Sequence, residues 1–266
     1  MSSADESTPT IKSALRVMLL VELLTKHPDG LTFPEIRTAL ELPKSSLHGL
    51  LKVMSGRGHL VFDPGSKVYR LGVRYWEAGQ AYRAGADLAT ISLPYLEAAR
   101  DTLNETVQLS VLDDLENVYI AKVDADQVLQ LVSRVGIRLP AHATGLGKVL
   151  LAHLDPEELD RRLDGAELTR FTPTTVADPG ELRQVLDEVR AAGYATDDGE
   201  YTRGVFCVAV PVRGRDGEVV AAMSCSVPSI RVDEGTQERM LDTLREQSRS
   251  LSAALGHREN HEEFTQ

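Results

Sequence analysis

The sequence is poor in cysteine, and its two cysteines, Cys207 and Cys225, are too few for a disulfide framework and lack the spacing of a zinc site. It also lacks a long apolar run, since none approaches the roughly 20 residues that cross a bilayer. The first ten residues do not combine a basic and an apolar region as secretion signals do. These absences exclude a disulfide-stapled secreted domain and a membrane protein. We therefore expect a soluble cytoplasmic protein with no structural metal and no membrane partner.

Positive charge is scarce and unevenly distributed. The 266 residues have a formal charge of −11, from 29 Lys and Arg against 40 Asp and Glu. Residues 1–76 hold 10 basic and 7 acidic residues, a net of +3, so residues 77–266, with 19 against 33, carry −14. A local positive excess is what a nucleic-acid-binding surface needs. The acidic remainder would repel DNA, which indicates a second domain with another role.

Residues 42–54 have the pattern of a short helix that reads DNA. Four apolar residues recur at helical spacing and form one stripe: Leu47, Leu50, Leu51 and Met54. The opposite side carries small, polar or cationic residues: Ser45, His48, Gly49 and Lys52. Pro43 suits a first helical turn, where its missing N–H costs nothing. A helix with an apolar back and a small cationic front fits a DNA major groove.

The flanking segments complete a winged helix-turn-helix over residues 1–74. The predicted order is helix, helix, helix and hairpin, at residues 11–26, 32–41, 42–54 and 59–71. The turn at residues 27–30 ends the first helix, and Thr32 is a suitable N-cap for the second. The turn cluster at residues 63–66 separates the two strands of the hairpin. This ordered combination is more specific than a lone amphipathic helix.

We expect the first domain to bind a double-stranded DNA operator. Cations on the helix and wing would hold phosphates, while small polar side chains reach base edges. The predicted contacts are Lys44, Ser45, Ser46, His48, Lys52, Lys67 and Arg70.

Residues 75–104 are predicted to form a linker helix, interrupted near Gly85 and again at Pro94. A helix-turn-helix commonly works in pairs across a two-fold axis, so the linker is expected to join two copies. An alternative is that its aromatic residues cover their own domain. The aromatic residues considered are Tyr75, Trp76 and Tyr82, which together with Gly79 occupy positions that could pack against the second copy. The tail at residues 259–266 is polar and expected to be disordered.

Residues 105–258 alternate strands and helices. Strands are predicted at 106–112, 117–123, 128–133, 194–197, 206–212 and 219–227. Helices are predicted at 140–152, 156–163, 179–192 and in a final amphipathic segment that includes 240–255. A sheet flanked by helices in one unit suits a ligand pocket over the sheet.

Several separate motifs, in order, resemble those of IclR-family transcriptional regulators. They lie at residues 42–48, 69–72, 139–148, 193–200, 204–212 and 216–228. The resemblance covers nearly the whole chain. It implies an α+β, multidomain protein with an N-terminal winged helix-turn-helix and a C-terminal GAF-like α/β effector-binding domain. It also implies a homodimer or homotetramer whose operator binding is altered by a small organic ligand, often a carboxylate.

The family's effector contacts, carried over position by position, fall on side chains and on backbone at one helix start. They are Asp197, Cys207, Ser224 and Ser226, with backbone at Gly145 and Leu146. Ser224 and Ser226 are expected to share one face of a strand, with Cys225 on the opposite face. Residues 145–147 are expected to offer free N–H groups at a helix start, and such groups attract a carboxylate. His142 either contacts the ligand or lines the mouth of the pocket.

Two functions other than ligand-responsive regulation are possible from the sequence: a cysteine-dependent enzyme and an architectural DNA binder. The sequence contains residues of the types needed for a nucleophile, a base and an orienting group: Cys207, His142 and Asp197. However, Cys207 does not lie in a nucleophile elbow, the sharp turn that exposes such a residue. We therefore expect no enzyme and no cofactor. A ligand-independent architectural DNA binder would fit the first domain but leave the second without a purpose. Gly49 departs from the larger residue common in the family at this point of the recognition helix, so the operator is expected to differ.

Overall fold

The computed structural model describes residues 12–81, 83–127 and 133–258, with side chains for all of these except 80, 81 and 83–87. It divides into two units, Met1–Arg83 and Ala84–Gln266. The predicted disordered tail and most of the strand predicted at 128–133 lie outside the described residues. In the part of the chain that is described, no helix is both long and apolar enough to cross a membrane.

The first unit has the helices and hairpin predicted for a winged helix-turn-helix. Its helices are α1 (Lys12–Lys26), α2 (Phe33–Leu40), α3 (Lys44–Gly56) and α4 (Arg74–Ala81). Its strands are β1 (Leu31–Thr32), β2 (Leu60–Asp63) and β3 (Val68–Leu71). They pair antiparallel in the order β1-β3-β2. β1 was not predicted, because two residues are too few to show an alternating pattern.

The core of the first unit confirms the apolar stripe on α3. Its buried side chains are Leu20, Leu24, Ile36, Leu47, Leu51, Met54 and Leu60. Thr32 is the N-cap of α2, as predicted, and its backbone N–H donates to the Glu35 carboxylate at 2.7 Å. This bond satisfies an N–H at the start of the helix that precedes the recognition helix.

The second unit is a six-stranded antiparallel sheet with helices on both faces. The strands are β4 (Thr106–Asp113), β5 (Glu116–Val123), β6 (Arg138–Pro140), β7 (Ala195–Asp198), β8 (Val205–Arg213) and β9 (Val219–Pro228). Their order across the sheet is β6-β5-β4-β9-β8-β7. The helices are α5 (Arg83–Leu103), α6 (Gly145–Ala152), α7 (Pro156–Leu163), α8 (Pro179–Ala192) and α9 (Thr236–Ala254). β6 was not predicted, because its three residues are too few to show an alternating pattern.

The alternation of side chains along β9 gives the sheet two different faces. Met223, Cys225 and Val227 join a core with residues of α5 and α9. Ala222 joins a second core with residues of α6, α7 and α8 on the other face. Ser224 lies on the face of Ala222, because residues two apart in a strand share a face. The prediction that Ser224 and Ser226 share a face opposite Cys225 is consistent with this arrangement.

The predicted interruption at Pro94 is wrong, because α5 continues through it to Leu103. Gly85 itself lies within α5, whereas α4 ends at Ala81 and α5 begins at Arg83, close to the interruption predicted near Gly85. A proline inside a helix costs about 3 kcal/mol. Leu88, Leu96 and Ala99 are buried on one side of α5, and burying a leucine side chain stabilises by about 1.5–3 kcal/mol, so packing offsets the cost.

The start of α6 lies against the backbone of a 3-10 turn at Ala141–Ala143. A Cβ added at Gly147 would collide with the backbone of Ala141, which cannot move as a flexible side chain can. A Cβ added at Gly145 would meet the Cβ of Ala209 at 3.4 Å, an ordinary contact. Only a residue without a side chain therefore fits at position 147.

Gly147→Ala should lower the free energy of unfolding of the second unit by about 1–3 kcal/mol, the usual cost of overpacking. Gly145→Ala, two residues earlier in the same helix, should change it by less than about 1 kcal/mol. Urea denaturation followed by circular dichroism measures both. Equal effects of the two substitutions would contradict the close approach at Gly147.

Candidate functional site

The recognition helix α3 exposes the side that the sequence predicted to face DNA. Ser45, His48 and Lys52 are exposed, and so is Lys44 at the helix start. Within the described residues, neither lysine forms an ion pair with a carboxylate. The two ammonium groups are therefore available to a phosphate backbone.

Three other predicted DNA contacts have partners or a fixed backbone within the first unit. The Ser46 hydroxyl is partly buried and accepts a hydrogen bond from Arg16 at 3.0 Å, which ties α1 to α3. Arg70 is exposed, and its Nε donates to the carbonyl of Asp29 at 2.8 Å. Lys67 is exposed in the turn of the wing with a φ of 58°. Their contacts with DNA stay predictions.

A cavity of about 280 Å³ lies in the second unit, between the sheet and the start of α6. It brings together the six effector residues carried over from the family: Gly145, Leu146, Asp197, Cys207, Ser224 and Ser226. Apolar side chains line much of the rest: Tyr119, Ile137, Leu139 and Val205. Residues from three parts of the sequence thus meet at one cavity.

Gln108 links the two serines and was missed in the sequence analysis. The hydroxyls of Ser224 and Ser226 both donate to Gln108 Oε1, at 3.1 and 3.2 Å. Cys207 Sγ in turn donates to the Ser226 hydroxyl at 3.1 Å. Gln108 lies between Val107 and Leu109 on β4, so its side chain points to the opposite face of the sheet. A polar residue between two apolar strand residues was the signal that could have identified it.

Thr144 is the N-cap of α6, the helix whose first residues line the cavity. Its hydroxyl accepts from the Gly147 N–H at 3.1 Å and donates to Asn117 Oδ1 at 2.8 Å. The expectation that Gly147 offers a free N–H is therefore wrong, because the threonine side chain already occupies it. The N–H groups of Gly145 and Leu146 remain at the positive end of α6.

Asp197 holds the backbone of its own loop. Its Oδ1 accepts from the Glu200 N–H at 2.7 Å. Burial raises the pKa of Asp197 to about 6, although the hydrogen bond from Glu200 favours the charged form. This carboxyl is therefore much harder to ionise than an exposed aspartate.

Cys207 and His142 are not arranged as a catalytic pair. Burial raises the pKa of the Cys207 thiol well above its usual range, so the thiolate needed for nucleophilic attack is disfavoured. His142 Nε2 lies 3.0 Å from the carbonyl oxygen of Thr169, and its ring lies beside Phe171. His142 does not line the cavity, which corrects the expectation that it contacts the ligand or lines the pocket mouth.

A buried ion pair between Lys148 and Glu200 was also missed. Both side chains are almost fully buried, and Lys148 comes from α6 while Glu200 follows β7. The partners are 52 residues apart in the chain, so no local pattern connects them. In the described part of the chain, no group of His, Cys, Asp and Glu is placed to hold a metal ion.

Comparison with known proteins agrees with this architecture. The family described as "Bacterial transcriptional regulator IclR C-terminal" matches residues 80–253, and the "IclR helix-turn-helix domain" matches residues 13–64. The chain belongs to the IclR family. IclR-family proteins with these two domains are DNA-binding transcriptional regulators with a C-terminal effector domain.

Relatives match this IclR-family chain over nearly their full length. The HTH-type transcriptional regulator XynR of Escherichia coli (strain K12) is 36% identical over 249 residues, which is 94% of this chain and 99% of XynR. KdgR of the same strain is 33% identical over 255 residues, which is 95% of this chain and 96% of KdgR.

Solved structures show the same fold. An IclR homologue from Microbacterium hydrocarbonoxydans, complexed with 4-hydroxybenzoate, has a TM-score of 0.80 and 30% identity, covering 92% of this chain and 99% of that one. The IclR protein of Thermotoga maritima has a TM-score of 0.74 and 28% identity, covering 93% and 100%.

Lys52→Ala should weaken DNA binding and reduce its salt dependence, because one phosphate contact is lost. Ser45→Ala should cost about 1–3 kcal/mol of binding free energy if its hydroxyl reads a base. Titration of a duplex selected from a random library, at several salt concentrations, measures both. Lys26→Ala, at the end of α1, is the control. Unchanged affinity and salt slope in both α3 variants would reject this docking surface.

Asp197→Asn should stabilise the second unit at pH 7.5 by on the order of 2–3 kcal/mol, because a buried carboxylate is ionised there and an amide is neutral. The folded pKa of about 6 lies above the ordinary value of 3.8, so the native state takes up a proton between these values. The stabilisation should therefore shrink as the pH falls towards 4.

The measurement is urea denaturation at pH 7.5 and pH 4.5. Asp198→Asn removes the same charge from the adjacent, exposed position and serves as the control. A stability difference that is the same at both pH values would contradict burial as the cause of the raised pKa.

Proposed function

We propose that this protein is a transcription regulator whose affinity for an operator changes when a small organic acid binds in the 280 Å³ cavity. The observation that carries the proposal is the composition of that cavity: a helix start, two serine hydroxyls and an amide line it together with apolar side chains. Small-molecule sites combine a mostly apolar lining with a few placed polar groups.

A carboxylate would bind at the start of α6. The N–H groups of Gly145 and Leu146 lie at the positive end of the helix dipole. Ser224 and Ser226 donate to Gln108 without a ligand, but a hydroxyl can rotate and donate to a carboxylate instead. Each charge-assisted bond of this kind is worth about 1.5–3 kcal/mol.

The apolar lining and the small volume of the cavity favour a small acid with an apolar body. Tyr119, Leu139 and Val205 offer contacts to a ring or a short chain. The cavity is near the lower end of the roughly 300–1,000 Å³ that ligand sites usually enclose. The Microbacterium relative that shares this fold was solved with 4-hydroxybenzoate, an aromatic acid of suitable size.

The DNA-binding unit would act as part of a homodimer or homotetramer on a two-fold-symmetric operator. Trp76 on α4 is 66% exposed, as a side chain that packs on a second copy would be. Tyr75 instead packs edge-on against His59 of its own unit, at 5.3 Å between ring centroids. Trp76 and Tyr75 therefore divide between the two alternatives, and the assembly stays a prediction.

Effector and operator would be coupled by linkage. The cavity and the recognition helix lie in different units, so an acid changes DNA affinity if it binds better to one of two states of the protein. The same coupling then makes DNA change the affinity for the acid.

The double substitution Ser224→Ala with Ser226→Ala should abolish the effect of an acid on operator affinity, because both hydroxyl donors are lost. Ser110→Ala is the matched control, since it removes a fully buried hydroxyl from the neighbouring strand, outside the cavity lining. Operator titrations with and without 4-hydroxybenzoate, benzoate and pyruvate give the readout. A double variant that responds at the same acid concentration as the unmodified protein would show that the pocket is wrongly assigned.

A further inference from the structure

Three charged side chains are buried together beside the cavity. Lys148, Asp197 and Glu200 are only 4%, 4% and 8% exposed. One cation therefore accompanies two carboxyl groups in a region from which water is largely excluded. Burying an unbalanced charge is expensive, so a carboxyl group in such a place takes up a proton more readily than an exposed one.

The positive charge of Lys148 is already balanced by an ion pair. Its ammonium group pairs with Glu200 Oε1, and Glu200 Oε2 is buried without a partner among the described residues. A second anion that entered the cavity would therefore find the lysine charge already balanced by Glu200. Asp197 is the member of this cluster that lines the cavity.

The other titratable groups that face Asp197 are on β5, on β8 and in its own loop. They are Tyr119, Cys207 and Tyr201, together with Lys148 of α6 and Glu200. Burial raises the pKa of Tyr119 and of Cys207, so both stay neutral at physiological pH. Neither of these two groups can supply charge to balance an acid. Asp197 is left as the group whose charge can change when an anion binds.

We propose that Asp197 selects the effector by its charge: the cavity accepts a monocarboxylate together with one proton on Asp197, and it rejects dicarboxylates. The inference rests on the organic-acid function proposed above. The proton neutralises the Asp197 carboxylate, so that cavity and ligand together carry one negative charge, which faces the two N–H groups of α6. A dicarboxylate would leave a second negative charge with no cation to balance it.

The direction of the pH dependence follows from the pKa of Asp197, which burial raises to about 6. Above this value the proton must be taken from solution, so affinity for a monocarboxylate falls about tenfold for each pH unit. Well below it Asp197 already carries the proton, and affinity becomes independent of pH.

The experiment is calorimetric titration of the full chain with 4-hydroxybenzoate, benzoate and pyruvate, and with succinate as the dicarboxylate. Measurements at pH 6.5 in phosphate and in imidazole buffer give proton uptake from the difference in heat. Affinities at pH 5.5 and 7.5 give the pH dependence. Asp197→Asn keeps an oxygen that can accept the Glu200 N–H, and the exposed Asp198→Asn is the control for the loss of charge.

The expected result is uptake of about three quarters of a proton per monocarboxylate at pH 6.5. Affinity should be more than tenfold weaker at pH 7.5 than at pH 5.5, with succinate weaker than every monocarboxylate that binds. Asp197→Asn should abolish both the uptake and the pH dependence, while Asp198→Asn keeps them.

Binding of a monocarboxylate without proton uptake, or with equal affinity at both pH values, would overturn the role of Asp197 and leave the organic-acid function standing. The same holds if succinate binds as tightly as the monocarboxylates. If none of the acids binds at either pH, the organic-acid function fails and this inference fails with it.

Discussion

The cavity depends on how closely α6 approaches the backbone of the 3-10 turn before it. Gly147 has no side chain, so the helix can lie against Ala141, and the Thr144 hydroxyl caps the Gly147 N–H in the same place. This contact sets the position of the two remaining N–H groups over the sheet. A helix held further away would leave the serines of β9 without a positive helix end opposite them.

Burying the charged groups in and beside the cavity lowers the stability of the fold, and the packing of the apolar cores offsets this loss. Burial penalises the ionised form of Asp197, and the pair of Lys148 with Glu200 removes two charges from water. The apolar cores on both faces of the sheet offset these costs. Buried ionisable groups with shifted pKa values cluster at functional sites.

Much of the fold could be predicted because it rests on local patterns. The helices α7 and α8 begin and end at the residues predicted for them, where aspartate caps and prolines mark both starts and Gly193 ends the second. The break predicted at Pro94 was wrong because this part of the fold does not follow the local pattern. Packing of α5 on the sheet outweighs a local signal, and a local pattern contains no information about that packing.

The sequence by itself determined which side of α3 faces outward, which strand residues share a face, and, through motifs shared with a family, six of the residues that line the cavity. The tertiary structure alone decided that Gln108 links Ser224 and Ser226, from which it is 116 and 118 residues distant. It also decided that Lys148 is held by Glu200 and that His142 turns towards Thr169. Spacing reports only neighbours along the chain, whereas these partners are brought together by the pairing of distant strands and the docking of α6.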